Sequence, residues 1–486
     1  MSAYSQAFGC FLLFWGRVAD IYGMKRIFVW GTAWVALTSL LNPFVTNEIA
    51  FDLVRGLQGL VRWRPTGPPG HRRARAAADL VTQGAAANVP TALGILGTTF
   101  RPGKAKTYAF AAYGGFAPAG HRGGVLTRRS GKGAGAPLGS IFGNILAGVI
   151  SGYSSWRWVF GSMAILSGVI AVAGLLVIPD DQPTDTEKGS TARAGVDWIG
   201  AVLITTGLFA LLFALTEVNV VGWTTYWIPI LMVGSLLSVA LFVVWQIRLE
   251  QQGQQAPLMK VSVFRSAQFS TAMLIMTLFS SSFNGFLVYA TYFYQGYQGL
   301  DALQTTLRFI PTGVAGIVAS IAVAFALDTV PTWLILLLGN ACVALASLLF
   351  AVPLPGDTSY WAYGAEAMSL AVLGSDTTWP SMTLFTSHAL PQQDQALGGA
   401  LVNAVGQVGR SLGLAAATAV QIAVMGSARG VGVQDAGPVL PWDEPTLAGL
   451  RAGAWFNFGV GACSVTVIAL MFRGTGIIGR DGMRKA

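Results

Sequence analysis

The chain reads as an all-α polytopic membrane protein, and three observations predict it. Hydrophobic residues fill 53% of the 486 positions and charged ones only 10%, where a soluble domain carries about a quarter. Mean hydropathy is +0.58. Apolar runs of about twenty residues, long enough to cross a ~30 Å hydrocarbon core as helix, recur along the sequence. Sixty glycines and fifteen tryptophans suit close helix packing and anchoring at the membrane–water interface.

In order, the runs cover 2–15, 27–45, 48–60 continued at 84–99, 106–115 continued at 135–153, and 158–178. A pair follows at 197–216 and 226–245. Six more lie at 268–292, 303–326, 332–352, 360–383, 398–425 and 453–472. That makes thirteen spans. The organisation predicted is an N-terminal helical half over 1–178, a linker with an extra helix pair over 179–250, and a C-terminal half with a short tail over 251–486.

The connecting loops alternate in charge. Arg17, Lys25, Arg26, Arg101, Lys104, Lys106, Lys188, Arg193, Arg248, Lys260, Arg265 and the tail from Arg473 to Lys485 fall on one side. Glu48, Glu217, Asp301, Asp357 and the stretch 435–444 fall mostly on the other. By the positive-inside rule the first group faces the cytoplasm. Thirteen spans with a cytoplasmic C-terminus leave the N-terminus outside. One additional span before Met1 would place it inside, so the reading takes the first span to be missing.

The formal charge of +9 is not a nucleic-acid footprint. Residues 61–83 and 116–134 each carry a net +4, and the rest of the chain is nearly neutral. Both tracts interrupt spans. At a helix centre each Arg costs about 2.5–3.5 kcal/mol, so the five in the first tract cancel the apolar gain of a whole span, and Pro65, Pro68 and Pro69 break a helix besides. Without the tracts, Leu60 joins Gly84 and Gly115 joins Gly135 as continuous small-residue helices. Retained introns translated in frame explain this better than basic loops that bind anionic lipid, because the tracts split helices rather than lengthen loops.

The loop Gly16-Arg17-Val18-Ala19-Asp20-Ile21-Tyr22-Gly23-Met24-Lys25-Arg26 sits between two spans. Its glycines permit a tight hairpin, and Asp20 can pair with bases or cap the next helix. A degraded repeat, Ala326-Leu327-Asp328, precedes the span at 332–352, and repeated halves mark secondary transporters. Asp52, Arg55 and Gln58 share one helix face at three-residue spacing. They form either a self-satisfied pair near the membrane edge or a proton-handling site, since charges inside a span usually serve function. Glu366 and Asp376 are the acids within the span 360–383. Each is a proton-site candidate or a hydrated residue near a helix end.

Gly135, Gly139 and Gly143, with Pro137 among them, recur every four residues, a spacing that brings helix backbones together. Asn284, Tyr289, Tyr292 and Gln295, with Phe293 and Tyr294, mix aromatic area with polar handles. That composition suits a broad apolar substrate or an interfacial belt. Asn340, Asn403 and Gln407 offer hydrogen bonds between helices, and Asn403 is a cavity candidate. No phosphate-binding Gly-Lys-Ser/Thr loop, metal-ligand spacing or nucleophile–histidine pair occurs, and His388 stands alone in a predicted loop. Catalysis, ATP-driven pumping, metals and cofactors are therefore not expected.

The loop from Gly16 to Arg26 resembles the one between the second and third spans of the major facilitator superfamily. Arg55-Gly56-Leu57-Gln58-Gly59 resembles its fourth-span motif, whose arginine is associated with proton coupling. The glycines from Gly135 to Gly143, with the following Trp156-Arg157-Trp158-Val159-Phe160, resemble the fifth-span antiporter motif of drug:proton exchangers. Val196 to Gly200, Thr291 to Gly299 and Gly374 to Thr377 extend the likeness to fourteen-span fungal exporters of the aminotriazole-resistance type. The resemblance implies a major facilitator fold: two six-helix halves plus a central helix pair, here lacking the first span and the functional acid often found in it. It further implies a monomer in the plasma membrane, without cofactor, that exchanges protons for toxic small molecules by alternating access. One proton crossing 100 mV releases about 2.3 kcal/mol, enough for roughly a fiftyfold gradient of a neutral substrate. The alternatives are a uniporter or nutrient sensor on the same scaffold, or a non-functional product of a mis-spliced gene.

Overall fold

The computed structural model describes residues 10–11, 14–15, 17–19, 23–44, 95, 150, 157–178, 197–222, 225–252, 257–352, 359–390, 395–473 and 476. Every regular element among them is helical. The two basic tracts lie outside the described residues, and so do Gly16, Asp20, Asp52, Arg55, Gln58, Gly135, Pro137, Gly139 and Gly143. Nine of the described helices are long and apolar enough to cross a membrane. The described residues divide into two compact units. The first draws on 1–99, 149–270 and 389–408, and the second on 100–148, 271–388 and 409–486.

In the first unit, Gly23 adopts φ 102°, a left-handed conformation open to glycine, and α1 (Met24–Leu41) starts from it. Phe28 and Val29 of α1 pack against Gly174 of α2 (Arg157–Val177), where the missing side chain admits the aromatic ring. The helices α3 (Trp198–Val221) and α4 (Trp227–Gln252) form a second antiparallel pair, and the Ser238 hydroxyl of α4 donates to the Leu203 carbonyl of α3 at 2.8 Å.

A buried carboxylate clasps this pair. Asp197 caps α3 by accepting from the Gly200 N–H at 2.9 Å, and it also accepts from Trp245 Nε1 at 3.0 Å and Gln246 Nε2 at 2.6 Å. The other end of the Gln246 amide accepts from the Met259 N–H at 3.2 Å, tying the following loop to α4. One sequence motif, Val196 to Gly200, thereby fixes both ends of the helix pair.

The second unit holds the remaining helices, and here several boundaries differ from the apolar runs. α5 (Ala267–Thr291) continues as a π-helical turn from Tyr292 to Tyr297. The predicted span 303–326 breaks into α6 (Ala302–Arg308) and α7 (Ile310–Thr329), because Pro311 has no N–H for the Leu307 carbonyl. After α8 (Thr332–Ala351), α9 runs from Tyr360 to Ala389 and not merely to 383. His388 therefore lies in the last turn of α9, not in a loop, and the helix stops just ahead of Pro391. α10 (Gln395–Arg429) and α11 (Glu444–Met471) also outrun their apolar cores.

Small and hydroxylated residues join these helices. Gly339 of α8 and Gly374 of α9 meet backbone to backbone, and a Cβ on Gly374 would collide with the Gly339 carbonyl and the Val343 side chain. Beside this crossing, Asn340 of α8, 1% exposed, donates to the Leu336 carbonyl at 2.8 Å and to Thr378 Oγ1 of α9 at 3.2 Å. It accepts from Ser464 Oγ of α11 at 2.7 Å, so one amide links three helices. Bonds of this kind in membranes average about 0.6 kcal/mol each and reach about 1.7.

The close crossing yields a direct expectation. Gly374→Val should destabilise the detergent-solubilised protein by about 1–3 kcal/mol through overpacking. Gly168→Val, at a position with nothing within 4 Å, should leave its thermal melting unchanged.

Candidate functional site

α9 carries both intramembrane acids and places them in different surroundings. Glu366 lies six residues into the helix and Asp376 sixteen, so they are about 15 Å apart along the axis. Asp376 Oδ2 is sealed from solvent and accepts no hydrogen bond. The Ser320 hydroxyl of α7 lies beside it, is also buried, and is also without a partner. Pro380, four residues on, cannot donate to the Asp376 carbonyl as an ordinary helix residue would. The polar groups at this level are therefore poorly satisfied, in contrast to the rest of α9. There Thr377, Ser381, Thr383 and Thr386 return their hydroxyls to carbonyls four residues back at 2.7–2.9 Å.

Glu366 is exposed and makes no ion pair or hydrogen bond among the described residues. It lines an open groove of about 460 Å³ with Pro311, Trp361, Ala365, Ser369 and Leu370. Hydrophobic helices rarely carry an unpaired carboxylate at such depth without a use for it.

The aromatic cluster at the end of α5 separates into two parts. Tyr289 is 3% exposed and packs with Ala417 of α10 and Leu450 of α11, its hydroxyl toward Thr418. Tyr294 is fully buried among Phe286, Ala346, Ala367 and Met368. Tyr292 is exposed and Gln295 half-buried. Asn284 turns its amide back to the Ser280 carbonyl at 2.9 Å, within its own helix. Asn403 does the same with Gly399 at 2.9 Å, and it belongs to the first unit, whereas Asn284 and the tyrosines belong to the second.

Of the loop motif, Arg17 is half-buried, Gly23 opens α1, and Lys25 and Arg26 follow in its first turn.

Three features escaped sequence reasoning. Ser320 meets Asp376 only through the packing of α7 on α9. Trp361 and Ser369 join Glu366 on one groove, a grouping signalled by the i, i+3 spacing of Glu366 and Ser369. Arg308, from the short α6, stands over the rings of Tyr294 at 5.1 Å and Tyr360 at 5.4 Å, and it also donates to Gln298 Oε1. The Tyr360 hydroxyl in turn donates to the Arg308 carbonyl at 2.6 Å.

The loop between α10 and α11 is locked by an ion pair. Arg429 reaches Asp443 at 2.5 Å and also donates to the carbonyls of Ala436 and Pro438. Asp443 caps α11 through the Thr446 N–H at 3.1 Å.

Two compact units of membrane-length helices, with carboxyl groups set inside one of them and no nucleophile–base pair among the described residues, define a helical membrane carrier. The Major Facilitator Superfamily model matches residues 80–414, and the chain belongs to that family. It is a multi-pass membrane transporter. It is 28% identical to the low affinity ammonium transporter of Saccharomyces cerevisiae over 86% of this chain and 73% of the relative. The efflux pump terJ of Aspergillus terreus is 26% identical over 97% and 79%. The aminotriazole resistance protein of Saccharomyces cerevisiae is 24% identical over 87% and 70%. The crystal structure of the POT family transporter PepTSo superposes with a TM-score of 0.57 at 15% identity, covering 97% of this chain and 88% of that one, a likeness of fold alone.

The Arg429 guanidinium holds the Asp443 carboxyl below the usual carboxylate range, with help from Thr446. A depressed folded value means that this contribution is complete above the unfolded pKa of about 3.9 and is lost as pH falls through the folded one. Wild type should therefore melt above Asp443→Asn at pH 6, with the gap narrowing as the pH is lowered towards about 3.

Proposed function

We propose that the protein exports drug-like or toxic small molecules across the plasma membrane in exchange for protons, by alternating access and as a monomer. The observation that carries the proton half is Asp376. Its Oδ2 is a buried acceptor with no donor, and protonation would turn it into a donor facing the Ser320 oxygen. Loading and unloading a proton at this point changes the hydrogen bonding between α7 and α9. A buried polar group left unsatisfied costs free energy, so two protonation states favour two packings of the same helices. Arg55 and Asp52 join the proposal as the proton-handling pair of the N-terminal half, with Gln58 on their face. The Gly135–Gly143 run and the Gly16–Arg26 loop serve as the moving contacts.

Support for export comes from the relatives named efflux pump and aminotriazole resistance protein. Support for a second reading, a uniporter of small cations, comes from the ammonium transporter. A protonophore separates them, because uniport flux would be insensitive to it.

The test uses the full chain in proteoliposomes with Nile red and aminotriazole as neutral probes. An imposed proton gradient should drive their accumulation, and Asp376→Asn should lower the rate at least about a hundredfold, the scale lost when a positioned proton carrier is removed. Downhill exchange of the same probes should survive. Undiminished proton-driven accumulation by Asp376→Asn would remove this residue from the mechanism.

A further inference from the structure

The groove on the second unit has a chemistry of its own. Its volume of about 460 Å³ falls in the range of small-molecule sites, roughly 300–1,000 Å³. Pro311, Ala365 and Leu370 give it apolar walls, and Ser369 adds one hydroxyl. Trp361 is 73% exposed, so its indole face is available rather than packed. The single ionisable group lining it is Glu366.

That carboxylate lacks a counter-charge. The base of the preceding short helix, Arg308, is committed to Gln298 and to the rings of Tyr294 and Tyr360, and it makes no ion pair with Glu366. One carboxylate and one hydroxyl are too few oxygens for a divalent metal, which takes six or more. An anion would be repelled. An organic cation is different: its charge is diffuse, its body is apolar, and an indole face attracts it.

We propose that this groove binds amphipathic organic monocations of drug size, with Glu366 as counter-charge and Trp361 as aromatic wall. The proposal deepens the export reading and rests on it for its physiological meaning, since it names one substrate class of the exporter. It also divides labour along α9. Glu366 recognises charge on the cargo, while Asp376, about 15 Å further along the axis, handles the proton. Neutral molecules would use the rest of the transporter without calling on Glu366.

The experiment measures equilibrium binding of labelled tetraphenylphosphonium to the purified full chain in detergent, with neutral triphenylphosphine oxide as control. Glu366→Gln should weaken tetraphenylphosphonium binding at least about tenfold, the loss expected when a charge partner is removed. Glu366→Asp should restore part of it, and Trp361→Ala should weaken it by a smaller factor. Triphenylphosphine oxide should bind all forms alike. Glu366 is exposed, so its variants fold without repacking the core. As a second approach, Ser369→Leu fills the groove and should also reduce binding.

Equal tetraphenylphosphonium affinity in wild type and Glu366→Gln would overturn the proposal. So would displacement from the wild type by short-chain phosphatidylcholine at a lower concentration than unlabelled tetraphenylphosphonium requires, which would make a lipid headgroup the occupant. The readout needs no gradient. Glu366-dependent binding without proton-driven transport of the neutral probes would sustain the groove and sink the export reading. Transport of those probes with Glu366-independent cation binding would do the reverse.

Discussion

Hydrocarbon offers no hydrogen-bond partner, so a polar group placed within the bilayer must find one inside the protein or pay for its isolation. The helices of this chain are arranged around that constraint. Hydroxyls of α9 return to their own carbonyls, the Asn340 amide spends its capacity on three helices, and Asp197 fills its oxygens with donors from both members of a helix pair. Against this background the exceptions carry meaning. Buried orphans among the described residues include the Asn457 amide and the Tyr289 and Tyr294 hydroxyls, but the carboxyl among them is Asp376. A neutral orphan is a local cost, whereas a carboxyl can change its state.

Close approach of backbones is the second consequence. With lipid on one side and helix on the other, association gains little from burial of apolar surface and more from contact and hydrogen bonding. Gly339 and Gly374 let α8 and α9 touch, which brings Asn340 within reach of Thr378 and, on its other side, Ser464. Packing and polar satisfaction are thus one arrangement. The site benefits, because a rigid α8–α9–α11 contact leaves α7 and its Ser320 as the partner of Asp376.

Much of the fold was legible because span length and the positive-inside bias are imposed by the bilayer and written into composition. The helix α9 shows where that reading fails. It was placed correctly at its start but ended six residues early, since Thr383, Thr386, Ser387 and His388 look polar by composition. In the helix the two threonine hydroxyls bond back to Trp379 and Met382, which removes much of their cost. The split at Phe309 could have been inferred from Pro311, and the π-helical turn after Thr291 left no mark in hydropathy. At the site, the acids were visible as acids in a span. Which one is buried and which one lines a groove depends on neighbours from other helices, Ser320 and Pro311 among them, and no spacing within α9 encodes that.

The central claim is that Asp376 changes protonation when cargo binds. The most direct measurement is the proton count of the purified protein in weakly buffered detergent, followed with a pH-indicator dye as Nile red is added. Proton release on binding in wild type, and none in Asp376→Asn at equal occupancy, is the result this account predicts. Identical release from both would place the coupled proton elsewhere and contradict it.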